Sequence, residues 1–239
     1  MKVAIHQPHY LPWAGYLDKV DRADAFVLLD TVAFSKGDWQ NRNRFKTAQG
    51  WQWVTVPILH ESGQLIEEVR IDPRQHSWAR SHRQALRTNY GATPWYEWTA
   101  EGLEAIWQQE WELLAPLGRA TLEWFMERMG LTTPLHWAHA MDPAPDHPDE
   151  RLIHLCRQLG ADTYLSGAEG PEYMERDRWE TAGIEVEVQD FTHPEYDQPF
   201  GDFLPGMSAV DLLCNCGPRS LELLREANGR GHPAKGESG

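Results

Sequence analysis

Residues Lys2-Val3-Ala4-Ile5-His6-Gln7-Pro8-His9-Tyr10-Leu11-Pro12-Trp13-Ala14-Gly15-Tyr16 decide the reading of this chain. Lys2 to Ile5 is a short apolar run bounded by turn residues, the pattern of a buried strand. Leu17 to Ala25 reads as a helix in which Leu17 and Val20 face the core and Asp18, Lys19 and Asp21 face water. The turn between them carries prolines, a glycine and several polar groups. Such a connection points the strand's carboxyl end and the helix's amino end into one crevice, the place where α/β sheets bind ligands. Free N–H groups at a helix start attract phosphate or carboxylate. The alternative is a rigid Pro-Gly connection with aromatics plugging the core. The density of Gln7, His9, Tyr10, Gly15 and Tyr16 at one turn favours a site.

Outward from that turn, Ala25-Phe26-Val27-Leu28-Leu29-Asp30 is a second apolar strand ending in an acid, and the two strands with their helix form a right-handed βαβ unit. Trp51 to Ile58 alternates as a strand, with Pro57 marking an edge or an end. Leu65 to Ile71 is a further short strand candidate. Ser77 to Tyr90, Tyr96 to Trp111 and Leu113 to Met129 carry helical spacing, and Gly130 is placed to stop the last helix. The final third returns to α/β order: helix from Glu150 to Leu159, strand from Thr163 to Leu165, helix from Glu172 to Ala182, and a strictly alternating strand from Ile184 to Val188. Ser208 opens a last helix that continues towards Leu224. The expected fold class is α/β, with a Rossmann-like, mostly parallel sheet in a single domain over residues 1–228 and a helical insertion at about residues 77–139. Residues 229–239 lack an apolar anchor and are expected to be mobile.

Composition narrows the function classes. The chain has 239 residues, 36 acidic against 22 basic side chains and a net charge of −14. That balance disfavours binding to nucleic acid or to an anionic membrane surface. No apolar run approaches the length of a membrane span. The three cysteines, Cys156, Cys214 and Cys216, with no secretory signal, point to a reducing cytoplasm. The Cys214/Cys216 pair lacks the four-ligand spacing of structural zinc, and His136 with His139 lacks a third partner, so no metal site is expected. Twelve tryptophans is a high count. Trp39, Trp51, Trp53, Trp78 and Trp95 lie among polar residues and are candidates for a pocket wall.

Four polar clusters follow strand ends or precede helices. The first is the opening turn. The second is Asp30 with Ser35-Lys36-Gly37-Asp38-Trp39-Gln40-Asn41-Arg42-Asn43-Arg44, read as a loop; arginine forks and asparagine amides suit an anionic ligand. The third is Ser166-Gly167-Ala168-Glu169-Gly170-Pro171-Glu172-Tyr173, where glycines let main-chain N–H groups approach a phosphate, although the spacing is neither Walker-type nor G-x-G-x-x-G. The fourth is Gln198, Pro205, Ser208, Asp211 and Asn215, in which Ser208 reads best as a helix cap and Asp211 and Asn215 share one helix face.

These residues carry a resemblance. Gln7-Pro8-x-Tyr10-Leu11-Pro12-Trp13-x-Gly15-Tyr16, Asp30, Ser35-Lys36-x-Asp38-Trp39-Gln40-Asn41-Arg42-Asn43-Arg44, Thr55-Val56-Pro57, Arg151-Leu152-Ile153, Leu159 to Gly167 with Gly170 and Tyr173, Tyr196-x-Gln198, and Pro205-x-Met207-Ser208-x-x-Asp211-Leu212-Leu213 occur in order. In these the chain resembles the WbqC-like proteins of bacterial surface-polysaccharide and secondary-metabolite gene clusters, and departs from them at His6, where many members carry an apolar residue. The opening turn also looks like that of the nucleotidylyltransferase superfamily, but Trp13-Ala14-Gly15-Tyr16 stands there without the two histidines of that motif, so adenylyl-transfer chemistry does not follow.

The resemblance implies a place near sugar-nucleotide and aminosugar modification. The expectation is therefore a cytoplasmic transferase acting on a nucleotide-activated sugar or a related anionic small molecule. Gln7, Tyr10, Gly15, Tyr16, Asn41, Arg42, Asn43, Ser166, Gly167 and Tyr173 are candidates for binding, and Asp30, Lys36 and Asp211 for orientation or proton transfer. The alternative is a noncatalytic partner or carrier-binding subunit that uses the Trp-rich surface as its interface.

Overall fold

Strand β1 (Lys2–His6) alternates its side chains between two apolar layers, and this alternation sets the architecture of the computed structural model, which describes residues 1–230. Val3 and Ile5 pack into one core and Ala4 into the other. A strand buried on both faces must be covered on both faces, as in α/β proteins. Helix α1 (Ala14–Arg22) returns the chain to β2 (Ala25–Leu28), which pairs parallel to β1.

The next segment, between β2 and the following strand of the main sheet, is long. It contains the hairpin β3 (Arg42–Thr47) and β4 (Gly50–Thr55), the short pair β5 (Ile58–Leu59) and β6 (Arg70–Ile71), and helices α2 (Trp78–Tyr90), α3 (Tyr96–Trp107) and α4 (Leu114–Met129). The chain then re-enters the main sheet at β7 (Leu135–Trp137), runs through α5 (Pro148–Gln158), β8 (Thr163–Ser166), α6 (Arg176–Ala182) and β9 (Glu185–Val188), and ends in α7 (Ala209–Cys216) and α8 (Ser220–Ala227). The main sheet has order β7-β2-β1-β8-β9, every pairing parallel. The fold is therefore α/β with a parallel sheet, as the alternating sequence pattern predicts.

Several local expectations change. The Asn41 to Arg44 run is the start of a strand, not a loop: Asn43 and Phe45 are buried while Arg42 and Arg44 lie on the opposite face. Leu65 to Ile71 is mostly a 3-10 turn at Ile66–Glu68, with two residues of strand after it. Leu135–Trp137, within the stretch read as helical, forms the edge strand β7. Helix α6 starts at Arg176, because Gly170-Pro171 interrupts the segment with a 3-10 turn. The last helix breaks at Gly217, whose φ is +55° and whose Cα lies against the Trp95 indole. Gly130 ends α4 in the left-handed conformation, as expected.

The outer face assigned to α1 is also corrected. Asp18 and Lys19 are buried. The Lys19 amine donates to the carbonyl of Ile5 at 3.0 Å, and the Asp18 carboxylate accepts from Gln189 Nε2 at 2.8 Å and pairs with Arg230. Arg230 also pairs with Asp21 at 2.5 Å, so ordered contacts continue into the segment expected to be mobile; the rest of that segment, 231–239, lies outside the described residues.

Candidate functional site

Strand order fixes what lines the carboxyl edge of the sheet. From one side to the other come Trp137 and His139 after β7, Asp30 after β2, His6 and Gln7 around the end of β1, Ser166 and Gly167 at the end of β8, and Gln189 after β9. Strand connections reverse direction between β1 and β8, the position at which open α/β sheets form a ligand crevice.

Asp30 is fully buried, yet its carboxylate points at a cleft of roughly 600 Å³ lined by Asp30, Glu67, Trp111, Arg119, Trp137 and His139 among others. Its Oδ1 accepts the main-chain N–H of His139 at 3.2 Å, and its Oδ2 lies 2.5 Å from His139 Nδ1. The imidazole stacks on Trp137, with ring centroids 5.3 Å apart, and is 43% exposed. A carboxylate that holds Nδ1 leaves Nε2 as the ring nitrogen that faces a ligand. Glu67 stands 3.7 Å from the same Nδ1. Partial burial and the negative charge of Asp30 push the Glu67 carboxyl above its ordinary range. Arg119 lies 5.3 Å over the Trp137 ring and pairs with Glu123 at 2.7 Å, so an arginine borders the cleft beside an aromatic face.

Two groups of side chains among the described residues have the donors for a metal ion. Asp30, Glu67 and His139 offer three atoms within 4.8 Å of one another, as do His147, Asp149 and Glu175. In the second group Asp149 is already engaged by the N–H of Glu175 at 2.9 Å and by Trp179 Nε1 at 3.1 Å. In the first, Asp30 Oδ2 and His139 Nδ1 are joined by a short hydrogen bond, and Glu67 is the member without a hydrogen-bond partner in the group.

Apart from Asp30, the residues singled out in the sequence separate into three places. Near the opening turn, Gln7 Oε1 accepts from Gln40 Nε2 at 2.5 Å, and Tyr16 donates to the Gln7 carbonyl at 3.1 Å. Gly15 passes under the Trp13 indole, where a Cβ would meet ring carbons at 2.4 Å, and its carbonyl accepts from Gln189 at 2.8 Å. The start of α1 is covered by the chain around Ser208, which bridges to Trp13. The His6 ring meets those of His9 and Tyr16 edge to face beside the buried Lys19, and burial pushes His6 down to about 3. Ser166 is buried and donates to Gly167, while Tyr173 is exposed.

A second place is structural in its contacts. Asn43 donates to the carbonyl of Leu11, Asn41 to that of Val56, and Tyr10 binds Trp107 Nε1 and His82 Nδ1. Asp211, expected near the ligand, is enclosed by Tyr90, Tyr196 and Gln198, all within 2.9 Å. Ser208 caps α7 through Val210 N–H, and Asn215 reaches Asp211 from one turn on. The third place is the outer face of the β3–β4 hairpin, where Arg42 lies 4.0 Å over Trp53 and contacts the Gly37 carbonyl. Lys36 is exposed on the turn before β3. Glu67 and Arg119 were missed, and His139 was weighed only as a metal partner of His136. The one available signal was Asp30 itself, an acid at the end of an apolar strand.

A family model described as the WbqC-like protein family matches residues 7–223 of this chain. The chain belongs to the WbqC-like protein family. A relative from Mycobacterium tuberculosis, described as an uncharacterized protein, is 36% identical over 230 residues, covering 94% of this chain and 97% of its own length. No solved structure matches this WbqC-like chain. No helix among the described residues is long and apolar enough to cross a membrane.

Proposed function

We propose that this WbqC-like chain is a cytoplasmic transferase that takes a nucleotide-activated sugar or a related anionic small molecule in the cleft at the carboxyl edge of its sheet. The observation that carries the reading is the pairing of buried Asp30 with His139. A buried carboxylate fixes the tautomer and direction of the imidazole and stabilises the imidazolium that forms when Nε2 takes a proton. The acceptor's hydroxyl or amine, deprotonated by His139 Nε2, then attacks the anomeric carbon of the donor; the bond from that carbon to the phosphate oxygen breaks, and the nucleotide leaves through its phosphate with the electron pair. Trp137 and Trp111 offer flat apolar faces for a ring, and Arg119 a cation for an anionic group.

The test is a panel of nucleotide sugars and aminosugar acceptors incubated with the protein, with products read by mass spectrometry. A product formed by the native chain should fall by about 100-fold or more with His139→Gln, the usual worth of a positioned base, while donor affinity stays within a few-fold. Equal turnover by the native chain and His139→Gln would refute the assigned role.

A further inference from the structure

A second concavity, of roughly 1380 Å³, runs between β4 and α2 and shares no lining residue with the Asp30 cleft. One wall is a strand edge. Among the described residues, strand β4 pairs only with β3. In register, Trp51 stands opposite Lys46 and Trp53 opposite Arg44. Lys46 N–H donates to the Tyr90 hydroxyl at 2.8 Å, Arg44 N–H to its neighbour Asn43, and the Arg44 carbonyl accepts from Ser208. These two residues therefore form the non-hydrogen-bonded pairs of the ladder, and their partners turn their N–H and C=O groups to the outer edge. The other edge of the hairpin is covered by Tyr90 and Ser208; among the described residues the β4 edge is open at Trp51 and Trp53, and at Thr55 it is met by His82 of α2.

The opposite wall is α2. Six strand residues and thirteen helix residues both span about 20 Å, so strand and helix flank the groove along a common length. Ser81, Ala85 and Thr88 face it with small side chains. Among the described residues none that lines it is Asp or Glu, in a chain with 36 of them. Arg80 lines the groove, and Arg42 and Arg44 lie over the Trp53 ring at 4.0 and 5.8 Å; none of the three has a carboxylate partner among the described residues. Trp51 and Trp53 are 42% and 37% exposed.

We propose that this groove binds an extended peptide segment of a partner protein, added as a strand to the open edge of β4, with acidic side chains at alternate positions over Arg42 and Arg44. Open main-chain donors and acceptors recurring every second residue are matched by another strand. Alternate side chains of that strand face opposite sides, one set meeting the arginine-tryptophan face and the other the small residues of α2. An acid-free wall selects for negative charge on the partner.

A random heptapeptide library displayed on phage, panned against the full chain, tests this. Enriched peptides should carry Asp or Glu at alternate positions. As synthetic peptides they should bind at least tenfold more weakly to Trp53→Pro, which removes an outward N–H without breaking a β3–β4 hydrogen bond, and to Arg44→Glu. If Trp53→Pro fails to fold, peptides N-methylated at alternate residues replace it: methylation in one register should abolish binding and in the other should not. No enrichment, or binding equal in all these comparisons, overturns the proposal. So does groove binding by maltoheptaose that Trp53→Pro leaves intact, or a dimer lost in Trp53→Pro without peptide binding.

Discussion

His139 closes onto Asp30 at 2.5 Å across 109 residues of sequence. The bond joins the second residue beyond β7 to the second residue beyond β2, and the parallel β2–β7 pairing brings them together. An acid at the end of one strand and a histidine at the end of its neighbour thereby become one group at the mouth of a cleft.

Leu11 has a φ of +47° and is buried. A non-glycine residue there stores strain of about 1–3 kcal/mol. Asn43 holds it by donating to its carbonyl at 2.8 Å, and Thr121 by accepting its N–H at 3.2 Å. Asn43→Ala should lower unfolding free energy by about 1–3 kcal/mol, the cost of an orphaned buried acceptor. Urea titration measures it, and a loss under about 0.5 kcal/mol, the range of neutral surface changes, would contradict the assignment.

Burial raises the Asp211 carboxyl above its ordinary value, while Tyr196, Tyr90 and Gln198 pull it back. An acid raised in the folded state binds its proton more tightly there, so stability falls as pH rises from the unfolded value through the raised one. Tyr196→Phe should steepen that fall and cost about 1–3 kcal/mol at neutral pH. Tyr90→Phe should cost more, because Tyr90 also receives the N–H of Lys46. Denaturation of both variants at acid and neutral pH reads the effect; a larger loss for Tyr196→Phe would contradict it.

Burial holds the Lys19 amine down to about 7, against about 10.4 for a free lysine. Between these values the unfolded chain carries a proton that the folded chain has shed, so stability rises with pH across that window. Below it both states are charged and the folded state bears the full desolvation cost. Lys19→Met should flatten the slope of stability between about pH 7 and pH 10. A slope unchanged from the native chain would mean that Lys19 is charged in the fold.

The Asp30–His139 bond leaves Glu67 as the free member of that group of donors. Adding manganese ion should leave the melting temperature unchanged, in the native chain and in Glu67→Gln alike. A stoichiometric upward shift that Glu67→Gln abolishes would make His139 a metal ligand instead of a base.

Much of the frame was legible because its signals are local. The β1–α1–β2 unit, β8, β9 and the Gly130 stop are apolar runs and glycine positions that need no distant partner. Strand β3 was not, because Arg42-Asn43-Arg44 reads as polar until Asn43 is seen buried against Leu11. Strand β7 has three residues and takes its register from β2. Asp30 was legible as a strand-end acid. His139 and Glu67 were not, since only tertiary pairing brings them to it. Asp211 was visible as a special residue, but a buried carboxylate served by two tyrosines has the same sequence signal as one that meets a ligand.

The most direct measurement is the His139 ring resonance in histidine-labelled protein, followed by nuclear magnetic resonance while nucleotides and nucleotide sugars are added. The account predicts a saturable shift of His139 with at least one nucleotide-linked donor, lost in Asp30→Ala, where the ring is no longer held. A donor that binds saturably yet leaves His139 unmoved, or no binding by any member of the panel, would contradict it.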